Sequence, residues 1–323
     1  MKAIVNTGPG RLEMRDLPLP EPGPGQVRIK TAACSVCVTD LLMISGWQRT
    51  GFPAIPGHEW SGRVDAAGLG VAGGVVGQRC VAENVVRDGG EVGFEYPGGY
   101  AEYFLTEAAN VLPLPEGMCA AEAALIEPLA VCLRGLRRHR LEDANSAVIF
   151  GDGPIGLLFL MLLVRAGVRH IVLAGGRPDR LALAKRLGAH ATVNYHAAGN
   201  TLTTAVEQAL GGKCANILET SGSGRAFETA FAVAGRGAKV LVLGDYGEGR
   251  ASFPWNTVLH HELELIGSNA SAGAWPEAVQ LAVQGHLPLA QLVSHRFPVS
   301  RFAEAMELVK GRAAGVVKVV MEW

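Results

Sequence analysis

The chain has 323 residues, which is more than one hydrophobic core usually serves, so two domains are expected. Its 29 Lys and Arg residues nearly balance its 30 Asp and Glu residues, and no basic block predicts a nucleic-acid surface. The longest apolar run, residues 155–164, is too short to cross a bilayer. Neither nucleic acid nor a membrane is therefore expected as a partner.

The start of the chain and its scattered cysteines together predict a reducing compartment. The chain opens with the strand-like run Met1-Lys2-Ala3-Ile4-Val5 instead of a charged segment followed by a secretory apolar core, so a cytoplasmic location is expected. The six cysteines are scattered: Cys34, Cys37, Cys80, Cys119, Cys132 and Cys214.

The first part of the chain has the texture of a β region. From Lys2 to about Pro115, short segments of strand character are separated by turns, many of them made by Gly and Pro. Residues 27–30 alternate between apolar and polar with period two. This spacing predicts an irregular, barrel-like arrangement of strands.

The texture changes near Ala147. An apolar run over residues 147–150 is followed by a glycine-rich turn, a long apolar helix and a second apolar run over residues 170–174. Further apolar runs follow at 217–218 and 239–243, separated by Ala- and Leu-rich helical stretches. Such alternation predicts a parallel sheet covered on both faces. The segment after about Ser268 is too short for a domain, and we expect it to pack onto the first region.

The glycine-rich turn is a candidate dinucleotide site. It reads Gly151-Asp152-Gly153-Pro154-Ile155-Gly156, and it lies between an apolar strand and an apolar helix. The first glycine permits a tight turn, the second lets the backbone approach a pyrophosphate, and the third lets helix and strand pack closely. A glycine-rich turn without a ligand is the alternative.

The end of the next strand bears on the choice of coenzyme. An NAD site usually has an acidic residue there, but this strand ends in Ala174-Gly175-Gly176-Arg177. Glycine removes a charge that would repel a 2′-phosphate, and Arg177 can donate to that phosphate. NADP is therefore predicted, with NAD as a possibility. In the alternative reading, Pro178 merely begins a helix and Arg177 is solvated. Asp179 is a competing carboxylate, read as an acid favoured in the first turn of the helix.

A candidate metal site precedes the dinucleotide motif. Cys37 offers a thiolate, and the run Gly57-His58-Glu59 offers an imidazole and a carboxylate. Cysteine and histidine together suit zinc, whose catalytic sites use about three protein ligands and keep one position open.

Five motifs follow one another along the chain: Cys37-Val38-Thr39-Asp40, Gly57-His58-Glu59, Gly98-Gly99-Tyr100-Ala101-Glu102-Tyr103, Glu127-Pro128-Leu129 and the glycine-rich turn. Together, these motifs resemble the zinc-dependent medium-chain dehydrogenases in order and spacing over nearly the whole chain. The resemblance implies an α/β protein in which a GroES-like β-barrel catalytic domain, residues 1–127 and 268–323, contains an inserted Rossmann doubly wound parallel-sheet domain, residues 128–267. It also implies homodimers or homotetramers.

The same resemblance implies a site. Cys37 and His58 match zinc ligands, and Thr39 matches the hydroxyl residue that hydrogen-bonds the substrate oxygen and relays its proton. Glu127 stands in a Glu-Pro motif similar to that of polyol and sugar dehydrogenases, and with Glu59 it completes a candidate ligand set. Which carboxylate binds zinc directly stays open. Glu59 is alternatively a residue behind the ligands, and Glu127 a first-turn helix acid.

Two departures from the family are evident. Residues 82–97 contain no cysteine, whereas many members bind a structural zinc with four closely spaced cysteines before the Gly-Gly-Tyr motif. One catalytic Zn²⁺ per subunit is therefore predicted. In addition, Leu41 and Leu42 occupy the stretch where alcohol dehydrogenases have a relay histidine.

The sequence thus predicts a zinc oxidoreductase that transfers a hydride between NADP(H) and a secondary alcohol, such as a polyol or sugar, with the matching ketone as the other partner. Zinc would act as a Lewis acid on the substrate oxygen. Two alternatives are a zinc-free quinone or enone reductase and a non-catalytic NADP-binding protein of the same fold.

Overall fold

The computed structural model describes residues 1–47, 49–141 and 145–323. The strands in chain order are β1 Lys2–Gly8, β2 Arg11–Asp16, β3 Gln26–Ser35, β4 Trp60–Ala67, β5 Arg79–Ala82, β6 Tyr103–Glu107, β7 Val111–Pro113, β8 Ser146–Phe150, β9 His170–Gly175, β10 Ala191–Asn194, β11 Cys214–Glu219, β12 Ala234–Val242, β13 Glu264–Gly267, β14 Val293–Pro298 and β15 Lys318–Glu322.

The α-helices are α1 Val38–Ser45, α2 Ala120–Ala123, α3 Ile126–His139, α4 Pro154–Arg165, α5 Pro178–Arg186, α6 Tyr195–Ala198, α7 Leu202–Leu210, α8 Gly224–Val233, α9 Trp255–His261, α10 Trp275–Val283 and α11 Phe302–Lys310. Short 3₁₀ helices cover Ala108–Asn110, Gly199–Thr201, Leu289–Leu292 and Val299–Arg301. None of the helices in the described part of the chain combines the length and hydropathy that a bilayer crossing requires.

The described residues form two compact units. Met1–Ala130 and Ala272–Trp323 make up the first, and Val131–Ser271 make up the second. The first unit is built on a sheet with the strand order β14-β15-β3-β4-β5-β7, in which β6 pairs with β3. All of these pairings are antiparallel except that of β14 with β15.

Strand β3 organises the first unit because it pairs along both of its edges. One edge pairs with β4, and the other pairs first with β6 and then with β15. The core of this unit includes Ile29, Trp60 and Phe104, each at most 2% exposed. Strands β14 and β15, near the end of the chain, thereby join the first unit's sheet.

The second unit contains the predicted parallel sheet. Its strand order is β10-β9-β8-β11-β12-β13, and every neighbouring pair is parallel. Strand β8 comes first in sequence and lies between β9 and β11, so the order reverses at its edge. This is the doubly wound arrangement that binds dinucleotides at the carboxyl ends of the strands beside the reversal. The predicted α/β class is confirmed.

Candidate active site

Cys37 and Thr39 are positioned by the junction between β3 and α1. Cys37 is the residue that precedes the first turn of α1, and its backbone N–H donates a 2.8 Å hydrogen bond to Oδ2 of Asp40. Asp40 is also the acid of that first turn, where the helix dipole favours a negative charge. The Cys37 Sγ lies 3.6 Å from Thr39 Oγ1, so the two candidate functional groups are neighbours.

His58 is positioned by an unusual backbone conformation at Gly57. This glycine has φ +100°, and a Cβ built on it would lie 2.6 Å from Cδ1 of Tyr100. Only glycine meets both constraints, since other residues avoid this region of φ and would clash with the ring. The chain therefore turns tightly before His58, and the imidazole is buried at 5% exposure.

Asp40 holds this part of the structure together. Its fully buried carboxylate accepts hydrogen bonds from Cys37 N at 2.8 Å, Gly57 N at 3.3 Å and the Tyr100 hydroxyl at 3.1 Å, and it lies 3.1 Å from His58 Nδ1. Burial alone would favour the neutral acid, but the charge on His58 and these hydrogen bonds hold the pKa of Asp40 below its usual value. Asp40 therefore stays ionised.

The contact with Asp40 determines how His58 can bind a metal. With Nδ1 directed at the carboxylate, Nε2 is the ring nitrogen left for a metal ion, and such carboxylate–histidine pairs are typical of metal sites. Burial opposes a charge on the ring, but Asp40 and Cys37 outweigh it and raise the pKa of His58 well above its ordinary value. A metal ion would therefore displace a proton from Nε2.

The structure brings together three of the four candidate ligands. The ligand atoms of Cys37, His58 and Glu59 all lie within 4.8 Å of one another, and theirs is the single such group of three or more His, Cys, Asp or Glu residues among those that the structure describes. Sulfur, nitrogen and oxygen donors in this combination fit zinc.

Glu59 is already engaged by other side chains. Its Oε1 and Oε2 lie 2.6 Å and 2.5 Å from Nζ of Lys318, which is on β15, and the Ser35 hydroxyl donates a short hydrogen bond to Oε2. Glu59 and Lys318 are buried, at 1% and 4% exposure. Although burial favours the neutral amine, the charge on Glu59 holds the pKa of Lys318 above its usual value. Glu59 would have to exchange at least part of this contact to reach a metal ion.

Glu127 lies outside the group of three but near it. It is half-buried in the first turn of α3, and it makes no hydrogen bond or ion pair with the residues that the structure describes. Burial raises the pKa of its carboxyl to about 7, with the nearby charges of His58 and Lys318 lowering it and that of Glu59 raising it. A poorly solvated carboxyl without a partner is suited to gain a metal ion.

Residues 82–97, which contain no cysteine, are held by charge and aromatic contacts. Arg49 pairs with Glu91 at 2.8 Å and with Glu95 at 2.6 Å, and its guanidinium lies 4.5 Å from the centre of the Phe94 ring. Phe94 in turn lies 4.7 Å, ring centre to ring centre, from His58. An ion-pair network thus supports the segment that packs against a candidate ligand.

The glycine-rich turn of the second unit has the geometry of a phosphate site. Helix α4 begins at Pro154 directly after Gly153, so its free backbone N–H groups lie at the turn. A Cβ on Gly156 would lie 2.0 Å from the carbonyl oxygen of Gly151, which excludes any larger residue. Gly151 itself has φ +115°. These contacts account for the first and third glycines of the motif, whereas a Cβ on Gly153 would meet no atom within 4 Å. Ile155 lies in the first turn of α4.

Gly175, Gly176 and Arg177 follow at the end of β9, next to that turn. A Cβ on Gly176 would clash with Tyr195 and His196. Arg177 is 20% exposed in its side chain and lies 3.5 Å from Asp179, so the predicted phosphate donor has an acidic neighbour. The backbone N–H of Arg177 donates a 2.7 Å hydrogen bond to Asp152 Oδ2.

Sequence reasoning did not single out Asp40, Lys318 or Asp152, which contact the candidate site residues His58, Glu59 and Arg177. Asp40 carried a signal, because an acid three residues after Cys37 at the start of a helix is a capping pattern. Lys318 carried none, since lysine is rarely buried and Glu59 is 259 residues away in sequence.

Comparisons with known proteins match both units. A model of the alcohol dehydrogenase GroES-like domain matches residues 23–116, and a model of the zinc-binding dehydrogenase domain matches residues 154–284. An L-threonine 3-dehydrogenase from Anaeromyxobacter sp. (strain Fw109-5) is 32% identical, with 100% of this chain and 99% of the relative covered. That alignment spans 350 positions, so the relative has at least 27 residues without a counterpart in the 323 here.

Two solved structures agree over the full length of the chain. Galactitol-1-phosphate dehydrogenase from Escherichia coli has a TM-score of 0.90 at 27% identity, with 100% of both chains covered. A protein from Sinorhizobium meliloti 1021, described as a zinc-binding dehydrogenase and solved bound to NADP, has a TM-score of 0.91 at 27% identity, with 100% of this chain and 99% of that chain covered.

Proposed function

Because the chain belongs to the zinc-dependent medium-chain dehydrogenase family, and is a zinc-binding, NAD(P)-dependent enzyme of the alcohol dehydrogenase type, we propose that it oxidises a secondary alcohol of a polyol, sugar or similar compound with NADP and reduces the matching ketone in reverse. The observation that carries this proposal is the convergence of Cys37, His58 and Glu59 within 4.8 Å, with Asp40 behind His58.

The chain's own residues would bind and orient the reactants. When bound, zinc supplies Lewis acidity to the substrate hydroxyl, and the nicotinamide ring supplies the hydride acceptor. Thr39, whose hydroxyl lies 3.6 Å from Cys37 Sγ, would accept the hydrogen bond of the substrate hydroxyl and relay its proton. Asp40 would keep His58 in the orientation that leaves Nε2 for the metal.

We assign one zinc per subunit to Cys37, His58 and Glu127, with Glu59 as a ligand that alternates with its contact to Lys318. Two observations support Glu127, before Glu59, as the constant carboxylate ligand. Both Glu59 oxygens lie within 2.6 Å of Lys318 Nζ, whereas Glu127 has neither a hydrogen bond nor an ion pair among the described residues. The zinc content of the Glu127→Gln and Glu59→Gln variants tests this assignment. After dialysis against a mild chelator, Glu127→Gln should have lost more zinc than Glu59→Gln.

NADP is assigned as the coenzyme from the end of β9. Neither Gly175 nor Gly176 carries an acidic side chain, and Arg177, which follows them, can donate to a 2′-phosphate. Arg177→Ala should lower kcat/KM for NADP at least tenfold and leave that for NAD within about threefold. A tenfold or greater preference of the unmodified enzyme for NAD would refute this assignment.

The substrate class follows from the ligand chemistry together with the relatives. Glu127 lies near the candidate ligands His58 and Glu59, and the resemblance implies a third cysteine near its position in alcohol dehydrogenases. The relatives named above include an L-threonine 3-dehydrogenase and a galactitol-1-phosphate dehydrogenase. L-threonine, polyols, their phosphates and simple secondary alcohols therefore form the panel to be screened.

One experiment tests the proposed function. The panel is assayed with NADP and with NAD, before and after zinc removal, and with Cys37→Ala as a second way of damaging the site. Activity that is lost with the chelator and restored by zinc is expected. Quinone or enone reduction that survives the loss of Cys37, or coenzyme binding without turnover on the whole panel, would contradict the proposal.

Assembly into a homodimer or homotetramer and a cytoplasmic location stay predictions. The first is supported by the edge of the second unit's sheet. Strand β13 is the last strand in the order of the described strands, Leu265 on it is 42% exposed, and Trp255 and Leu259 on α9 are 71% and 68% exposed. An edge strand beside exposed apolar side chains is a surface that a second copy can cover. Light scattering of the purified enzyme measures the assembly.

A further inference from the structure

The carboxylate of Asp152 lies at the end of β9 although Asp152 belongs to the turn after β8. Asp152 is buried, with 6% of its surface exposed. A Cβ built on Gly175, the last residue of β9, would lie 2.5 Å from Oδ2 and from Cβ of Asp152. The side chain of Asp152 therefore occupies the space that a side chain at Gly175 would need.

The contacts of this carboxylate leave it able to accept further hydrogen bonds. Arg177 N donates to Oδ2 at 2.7 Å, and Arg180 Nη1 lies 3.9 Å from Oδ1. These are the one hydrogen bond and the one ion pair that the described residues make with the Asp152 carboxylate. A carboxylate has about four acceptor positions, so positions remain for a ligand. The Asp152 side chain is only 8% exposed, so a ligand that reached it would form a largely desolvated bond.

The position of Asp152 matches a known requirement of the fold. In a doubly wound dinucleotide site, an acid at the end of the second strand accepts a hydrogen bond from the adenosine ribose. Here the second strand of the sheet is β9, and it ends in glycine. We propose that Asp152, reaching across from the glycine-rich turn, is the residue that accepts the hydrogen bond of the adenosine ribose and thereby determines how strongly the enzyme distinguishes NADP from NAD.

This inference rests on the coenzyme site of the proposed function and deepens it. A 2′-phosphate carries nearly two negative charges, so it is attracted by Arg177 and Arg180 but repelled by Asp152. Arg180 is shared, because it already pairs with Asp152. Asp152 therefore favours the free 2′-hydroxyl of NAD and lowers the preference for NADP below what the two arginines alone would give.

The test compares dissociation constants of NAD and NADP for the zinc-loaded enzyme without an alcohol present. Asp152→Asn keeps the shape of the side chain and an acceptor for Arg177 N, but removes the charge. We expect NAD to bind about tenfold more weakly, NADP to bind at least as tightly, and the NAD-to-NADP ratio of dissociation constants to rise at least tenfold. Asp152→Ser, which also keeps an acceptor, should shift the ratio in the same direction.

Two further variants serve as controls. Glu207→Gln removes one negative charge from an exposed ion pair with Lys213 in the same unit, and it should leave the ratio within threefold. Asp179→Asn tests the rival acid of α5. A ratio unchanged within threefold in a folded Asp152→Asn enzyme, or a loss of NAD binding in Asp179→Asn instead, would overturn the proposal.

The outcome is separable from that of the proposed function. Binding is measured without turnover, so an enzyme that oxidises no alcohol on the panel still reports whether Asp152 recognises the ribose. Conversely, an unchanged ratio of the NAD and NADP dissociation constants would not contradict the proposed zinc-dependent oxidation of an alcohol. Thermal unfolding of each variant establishes that the second unit has kept its fold.

Discussion

Replacing Lys318 with methionine is expected to destabilise the zinc-free protein by about 3–5 kcal/mol. Lys318 Nζ lies 2.6 Å and 2.5 Å from the two oxygens of Glu59, and the side chains are only 4% and 2% exposed. At an effective dielectric constant of about 20, a pair at this distance attracts by about 6 kcal/mol before desolvation is subtracted. Methionine fills nearly the same volume, so the loss is mainly that of a counter-ion for a buried carboxylate.

A double-mutant cycle isolates this contribution. Glu59→Gln in combination with Lys318→Met removes both charges, and we expect it to recover at least half of the lost free energy of unfolding, because no isolated charge remains. The measurement is equilibrium unfolding in urea of the zinc-free protein, followed by tryptophan fluorescence, with Trp60 buried next to Glu59 in sequence. Lys310→Met, which breaks an exposed pair with Glu307, is the matched control and should change nothing measurable.

Two results would refute the reasoning. One is a Lys318→Met protein within about 1 kcal/mol of the unmodified protein, which would mean that water or another group compensates the Glu59 charge. The other is a double variant that is no more stable than the single one. Zinc affinity, measured by chelator competition, adds an independent reading: Glu59 released from Lys318 should bind zinc about tenfold more tightly, a difference of about 1.4 kcal/mol.

Three further predictions concern the two sites. Asp40→Asn should weaken zinc binding about 10–100-fold in the same chelator competition, because the charge that orients His58 is lost; an unchanged affinity would remove Asp40 from the metal site. The pKa of about 7 of Glu127 means that its carboxyl ionises in the unfolded chain first, so stability is lost as the pH rises from about 4.5 to 7. The free energy of unfolding of Glu127→Gln, measured in urea relative to the zinc-free unmodified protein, should therefore rise by up to about 3 kcal/mol across that pH range. A difference between the two proteins that stays constant with pH would contradict the raised pKa. Gly156→Ala should lower coenzyme affinity at least tenfold by titration, since its Cβ would meet the Gly151 carbonyl at 2.0 Å; wild-type binding would show that the turn can widen.

The coenzyme-binding unit could be predicted because its signals are local. The apolar run of β8, the glycine-rich turn and the apolar helix α4 are adjacent in sequence, and the close approach of Gly156 to Gly151 involves residues five apart. Strand order follows from rules on parallel crossovers that hold for most such sheets. The predicted fold class was therefore confirmed from short segments of chain.

The candidate metal site could be predicted only in part. Cys37, His58 and Glu59 lie within a span of 23 residues and belong to recognisable motifs. The buried cation beside Glu59 depends on the pairing of β15 with β3, which brings Val320 opposite Ser35. Nothing in the local sequence around Lys318 specifies that pairing, because lysine at a strand start is ordinarily solvated. Long-range strand pairing is thus the part of the site that the sequence leaves open.

The position of β15 in the sheet of the first unit has a consequence for the order of events during synthesis. Lys318 meets Glu59 across 259 residues, and Trp323 Nε1 donates to the Gly99 carbonyl across 224. While a ribosome is still extending the chain, the residues of the second unit are complete before the strand that neutralises Glu59 exists. Until β15 is made, Glu59 lacks its lysine partner, so the charge beside Cys37 and His58 is more negative than in the finished chain.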